Sequence, residues 1–150
     1  MTTASRWVLQ CDGTATPNPG RLGIGAVVVD DTGKRLELSR ELGRRGDNNE
    51  AEIEAVIAAL TAARDSGASA IEVRSDSDVV VRELKGLTAT AVPKLAVLFA
   101  TAKALLAGFD VVDIVLVTRL HNREADALAR AALGLPAKLP RHLRPKKPRS

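Results

Sequence analysis

Four acidic residues, Asp12, Glu52, Asp76 and Asp126, stand where a protein built only for stability gains little from them. Asp12 follows the apolar run WVLQC, where another Val or Ile would serve a strand better. Glu52 falls in the first turn of a helical pattern, about 40° round from the core position Val56 and one residue before Ile53, so it borders the buried face. Asp76 follows the short run Ala70 to Arg74, and Asp126 lies one turn past Asn122, beside Ala125 and Ala129. Singly, each has an ordinary reading. Asp12-Gly13 suits a strand-ending turn, Glu52 favours the positive end of a helix dipole, Asp76 competes with Ser75 and Ser77 as a helix cap, and Asp126 suits a solvated helix face. Together, three of the four fall at strand ends or helix starts that converge on one edge of a sheet. Carboxylates gathered in one place repel and raise one another's pKa unless cations bind. Oxygen-only donors with open positions suit Mg²⁺ or Mn²⁺. Two such ions about 4 Å apart serve in-line displacement at phosphorus. The acids alone therefore point to metal-dependent phosphodiester hydrolysis.

The elements that must position these acids follow from periodicity and turn chemistry. Trp7 to Cys11 reads as a strand ending in the loop DGTATPNPG, and Ile24 to Val29 as a second strand. DDTGK supplies a tight hairpin with Gly33 at positive φ, and Leu36 and Leu38 alternate with Glu37 and Ser39 as a third strand. Asp47 and Asn48 are good caps for the longest helix, whose Ile53, Val56, Ile57 and Leu60 recur at helical spacing until Ser66-Gly67. Ala70 to Arg74 is a fourth strand, Asp78 to Leu84 a short helix ended at Gly86, and Pro93 opens another that ends near Gly108. Val111 to Val117 reads as a buried-type strand, and Asn122 caps a last helix through Leu133. The order β-β-β-α-β-α-α-β-α predicts an α/β fold, an antiparallel meander followed by two strands reached through right-handed helical crossovers and parallel to the first.

The chain has 150 residues, 45% of them hydrophobic and 27% charged, enough for one domain with its own core. No apolar run approaches the roughly 18 residues of a membrane span, and the first ten residues lack a signal-peptide layout, so the sequence reads as soluble and cytoplasmic. The single Cys11 excludes an internal disulfide and any multi-Cys zinc site, and it is read as a small core residue facing away from Asp12. With only Trp7, Phe99 and Phe109 as aromatics, single-strand binding by base stacking is disfavoured. The net charge of +4 is uneven: Gly134 to Ser150 carries six Lys or Arg and no acid, which leaves 16 basic against 18 acidic residues before it. This divides the chain into a mildly acidic domain, 1–133, and a basic, Pro-containing flexible arm, 134–150.

Four blocks in order, CDGTATPNPG, NNEAE, RSDSDVV and HNREADALA, make residues 7 to about 133 resemble a type 1 ribonuclease H. The resemblance implies the ribonuclease H-like fold, a five-stranded mixed sheet flanked by helices with the first strand central beside the fourth. It implies that Asp12, Glu52, Asp76 and Asp126 hold two Mg²⁺ ions, with Mn²⁺ as a substitute, and that the RNA strand of an RNA/DNA hybrid is cut to leave 5′-phosphate and 3′-hydroxyl ends. By position, Gly13, Asn18, Asn48 and Asn49 match hybrid-contacting residues, and Asn122 is placed with them. Asn18 and Asn48 also suit plain turn and cap roles. Amides suit the task because the 2′-hydroxyl, which marks RNA, both donates and accepts.

The sequence departs from the pattern in four places. Lys85 to Lys94 is too short for the basic helix and loop that grips the hybrid in many bacterial members, and no separate hybrid-binding domain fits before Trp7. Asp78 stands where many members carry an amide. The loop TRLHN is short, leaving His121 and Arg119 as alternatives for the role of a mobile loop histidine. The basic arm is the expected replacement for the missing grip. Two other readings stay open: a binding module of the same fold without catalysis, and a nuclease that also acts on double-stranded RNA. Nothing demands more than a monomer.

Overall fold

A computed structural model describes residues 6–138; the greater part of the expected basic arm, 139–150, lies outside the described residues. Five strands form one sheet in the order β3-β2-β1-β4-β5. They are β1 (Trp7–Thr16), β2 (Gly20–Val29), β3 (Arg35–Gly46), β4 (Ala70–Ser75) and β5 (Val111–Leu116). β1 pairs antiparallel with β2 and β2 with β3, while β1, β4 and β5 run parallel. The mixed sheet with β1 central beside β4 is thus as expected. The helices are α1 (Asn48–Asp65), α2 (Asp78–Leu84), α3 (Pro93–Leu106) and α4 (Arg123–Ala132), the last preceded by a 3-10 turn, Leu120–Asn122.

The core lies between the sheet and α1, α2 and α3. Leu9, Cys11, Ile24, Ala26 and Val28 pack from the strands against Ile53, Val56 and Leu60 of α1 and Phe99 of α3. Cys11 is buried there, on the face its alternation with Asp12 predicts. α4 packs across β1, β2 and β3. Two glycines set how closely α1 and α4 approach. A Cβ at Gly13 would lie 2.2 Å from the backbone of Ala51, and one at Gly25 would lie 2.2 Å from the carbonyl oxygen of Ala125. Asp12 pairs with Gly25 and Gly13 with Ile24, so alternation puts the two glycines on opposite faces of the sheet. Each helix therefore seats directly on the strands beside Asp12, one on each face.

Several sequence expectations are corrected. β1 does not stop at Cys11: it continues to Thr16, because Asp12 to Thr16 pair with Gly25 to Arg21, and the turn is confined to Pro17, Asn18 and Pro19. Asp12 is therefore mid-strand, and Gly13 is a packing glycine rather than a turn glycine. The hairpin with Gly33 at φ +88° forms as expected, but β3 runs on to Gly46. Asp47, not Asn48, caps α1: its side chain accepts from Glu50 N–H while the Glu50 side chain accepts from Asp47 N–H. β5 is an edge strand, exposed or half-exposed along its length rather than buried. Asn122 occupies the cap position of α4, but its side chain makes no cap hydrogen bond and is fully buried.

Candidate active site

Strand register brings the first two acids together. Gln10 pairs with Arg74 across the parallel β1–β4 contact, and Asp12 and Asp76 each lie two residues further along. Asp12 is still within β1 and Asp76 is the first residue past the end of β4, on neighbouring strands spaced about 4.8 Å apart. The contact at Gly13 involves the backbone of Ala51 and Glu52, which sets Glu52 beside Asp12. Carboxylate oxygens of Asp12, Glu52 and Asp76 all lie within 4.8 Å of one another. The contact at Gly25 brings α4 up on the other face, where Asp126 comes within hydrogen-bonding reach of Asp12. All four acids line one open cleft of about 600 Å³.

The electrostatics are those of a carboxylate cluster whose one neighbouring cation, Arg119, does not offset its burial and mutual repulsion. Burial, then the charges of Glu52 and Asp76, pushes the Asp12 carboxyl up to about 10. Burial, then Asp76, pushes Glu52 up to about 8, against the pull of Arg119. Asp76 is raised by burial too, with Arg119 and the Asn122 amide favouring its ionised form. Buried oxygen donors held at unfavourable protonation are what a hard divalent cation would relieve. The donor set, all carboxylate with no sulfur or imidazole, fits Mg²⁺ or Mn²⁺ and not zinc.

The sequence-nominated residues around the acids fall into distinct places. Asn48 lines the cleft; its Oδ1 accepts from Ala15 N–H at 2.8 Å, and its own N–H donates to Asn18 Oδ1 at 3.1 Å. Asn18 and Asn48 thus tie the β1–β2 turn to the start of α1, with Asn49 exposed beside them. Gly13 also lines the cleft. Asn122 lies behind the cleft wall and is not among the residues that line it. It is fully buried, with its Nδ2 donating to the carbonyl oxygen of Cys11 at 2.8 Å and its Oδ1 without a partner, so it pins the residue that precedes Asp12. Of the two loop alternatives, Arg119 lines the cleft next to Glu52 and Asp76. His121 is exposed, with Nδ1 2.9 Å from Thr118 Oγ1, and borders a separate small pocket.

Sequence reasoning overlooked Glu50, which is buried at 2% exposure and bonds Arg44 at 2.8 Å as well as Asp47. Its signal was available, since Asp47-x-x-Glu50 is a capping-box spacing. It also overlooked Thr14, Val79, Leu120 and Arg123, which line the cleft together with Lys138, the first cation of the expected basic arm.

This sheet order and carboxylate cluster define a domain of ribonuclease H-like fold. Residues 10–132 match the family model described as "Reverse transcriptase-like". A curated relative, Ribonuclease HI of Halobacterium salinarum, is 42% identical over 122 residues, 81% of this chain and 61% of the relative. The chain therefore spans less than two thirds of that relative's length. The crystal structure of RNase H1 from the same archaeon matches with a TM-score of 0.82 and 41% identity, covering 87% of this chain and 98% of that one. LC11-RNase H1, solved in complex with an RNA/DNA hybrid, matches with a TM-score of 0.79 and 32% identity, covering 86% and 97%. The chain belongs to the reverse transcriptase-like family and, within it, to the type 1 ribonuclease H group.

Proposed function

We propose that the protein is an endoribonuclease that hydrolyses the RNA strand of RNA/DNA hybrids, leaving 5′-phosphate and 3′-hydroxyl ends. The observation that carries this reading is the gathering of Asp12, Glu52 and Asp76 oxygens within 4.8 Å, with Asp126 alongside, in an open cleft. Asp12, Glu52, Asp76 and Asp126 would hold two Mg²⁺ ions, with Mn²⁺ as a substitute, and the ions would supply the charge that activates water and stabilises the leaving oxygen. The chain's own residues do the rest. Gly13 and Asn48 line the cleft on one side of the acids, and they, with Asn18 and Asn49 at the neighbouring turn and helix start, would meet the 2′-hydroxyls. Arg119 stands on the other side, where its charge favours the ionised forms of Glu52 and Asp76. It is the better placed of the two loop candidates to steady charge as product leaves. Asn122 fixes the β1 backbone beside Asp12.

A binding module without catalysis is disfavoured because all four acids are present and assembled. The working form is proposed to be a cytoplasmic monomer; among the described residues no helix is long and apolar enough to cross a membrane. Residues 1–133 are proposed to be the catalytic domain and 134–150 an accessory arm. Substrate class is tested by offering labelled RNA/DNA hybrid, double-stranded RNA and double-stranded DNA with Mg²⁺. Cutting of the hybrid's RNA strand is expected, with double-stranded RNA, also A-like, cut more slowly and DNA spared. A hybrid left intact while double-stranded RNA is cut would overturn the assigned substrate.

A further inference from the structure

A polyanion approaching four carboxylates meets repulsion unless cations stand close by. The stretch between α2 and α3 offers little: Lys85 is its only cation before Lys94, and Lys94 Nζ lies 3.8 Å from the buried Glu50 carboxylate. Across the cleft, Arg119, Arg123 and Lys138 all line the wall. Arg119 already faces Glu52 and Asp76. Arg123 opens α4, is exposed, and has no ion pair among the described residues; its neighbour Glu124 pairs with Arg35 instead.

Lys138 reaches the same cleft by a chain reversal. Gly134 adopts φ +75° and its N–H donates to Ala131, Leu135 N–H donates to Arg130 O at 2.9 Å, and Arg130 Nε–H donates to Pro136 O at 2.7 Å. α4 is about 15 Å long. The four residues after Gly134 can span about 13 Å. That suffices to carry Lys138 back towards the first turn of α4, where Arg123 stands.

Resting on the hybrid-cleaving reading above, we infer that Arg123 and Lys138 form a cationic rim that holds phosphates flanking the scissile one. The cleft is then two-sided: amides on the Asn48 wall for the sugar hydroxyls, cations on the α4 wall for the backbone charge, and carboxylates between. The chain beyond Lys138 carries five more Lys or Arg, so the rim is also where the remaining positive charge of the sequence begins.

The test is fluorescence anisotropy of a labelled RNA/DNA hybrid with the full chain in an Asp12→Asn background with Mg²⁺, across roughly 50 to 200 mM NaCl. Arg123→Ala and Lys138→Ala should each flatten the log Kd against log salt slope by about 0.7 to 0.9 and weaken low-salt binding roughly threefold. Arg123→Lys should keep the slope, which a merely structural role for the guanidinium would not. Lys103→Ala, at an exposed position of α3, serves as the control for loss of any surface charge. An unchanged slope in the double variant Arg123→Ala/Lys138→Ala overturns the rim. Cleavage by the wild type is scored separately, so failure of the hydrolase reading and failure of the rim give different results.

Discussion

Asp12 is the residue on which the site converges: it pairs with Gly25 in β2, adjoins Asp76 at the end of the neighbouring β4, and lies beside both Glu52 and Asp126. Its carboxyl, at about 10 in the fold, and that of Glu52, at about 8, lie far above their ordinary values of 3.8 and 4.5. The folded state therefore holds these protons more tightly than the unfolded chain. That contribution to stability is complete below about pH 4 and is lost as pH rises through 8 to 10. In EDTA the thermal midpoint should fall between pH 6 and pH 9, and Asp12→Asn should flatten the fall and raise the midpoint near pH 8 by about 3 to 8 °C. A midpoint that climbs over that window would contradict the assignment, as would one indifferent to Asp12→Asn. Asn122→Ala strands the buried Cys11 carbonyl and should cost about 1 to 3 kcal/mol in denaturant unfolding. No loss there would mean that the hydrogen bond at 2.8 Å contributes nothing.

At the scale of elements, the site depends on how closely α1 and α4 sit on β1 and β2. A side chain at Gly13 or Gly25 would collide with helix backbone, which cannot move aside as a flexible side chain can. Gly25→Val should lower stability by about 1 to 3 kcal/mol or more and cut activity at least tenfold, by lifting Asp126 away from Asp12. Wild-type activity in a stably folded Gly25→Val variant would break the link between helix seating and the site. The same glycines explain what was hard to read in the sequence. The number and order of elements followed from periodicity and caps, and the parallel placement of β4 and β5 from crossover rules. The span of β1 did not, because Gly13, Thr14 and Thr16 look like turn chemistry, and a packing glycine cannot be told from a turn glycine without the helix that rests on it. β5 misled in the opposite way: its apolar run resembles a buried strand, but it lies at the sheet edge and only part of its surface is covered. That the four acids gather in one cleft was legible from their coincidence at strand ends and helix starts, since each alone has an ordinary structural use. Asn122 was not, because an Asn before a helix reads as a cap even when its side chain turns inward.

Across the whole molecule, charge is divided by location. The acids gather at the C-terminal half of β1 and its neighbours, while cations approach from α4 and the chain after it. Removing residues 139–150, which carry five Lys or Arg, should flatten the salt dependence of hybrid cleavage by up to about 4 units of log slope if every charge meets a phosphate. A truncated protein with the wild-type KM and slope would assign the arm no part in substrate binding. Whether the four carboxylates act together on RNA paired to DNA is read directly by one measurement. Hybrid carrying labelled RNA is incubated with wild type and with Asp12→Asn, in Mg²⁺ and in EDTA, and the product ends are analysed. The wild type in Mg²⁺ should give RNA fragments with 5′-phosphate and 3′-hydroxyl ends, and EDTA or Asp12→Asn should lower the rate by at least about a thousandfold. Intact RNA with the wild type, or cutting that persists in Asp12→Asn, would contradict that joint action.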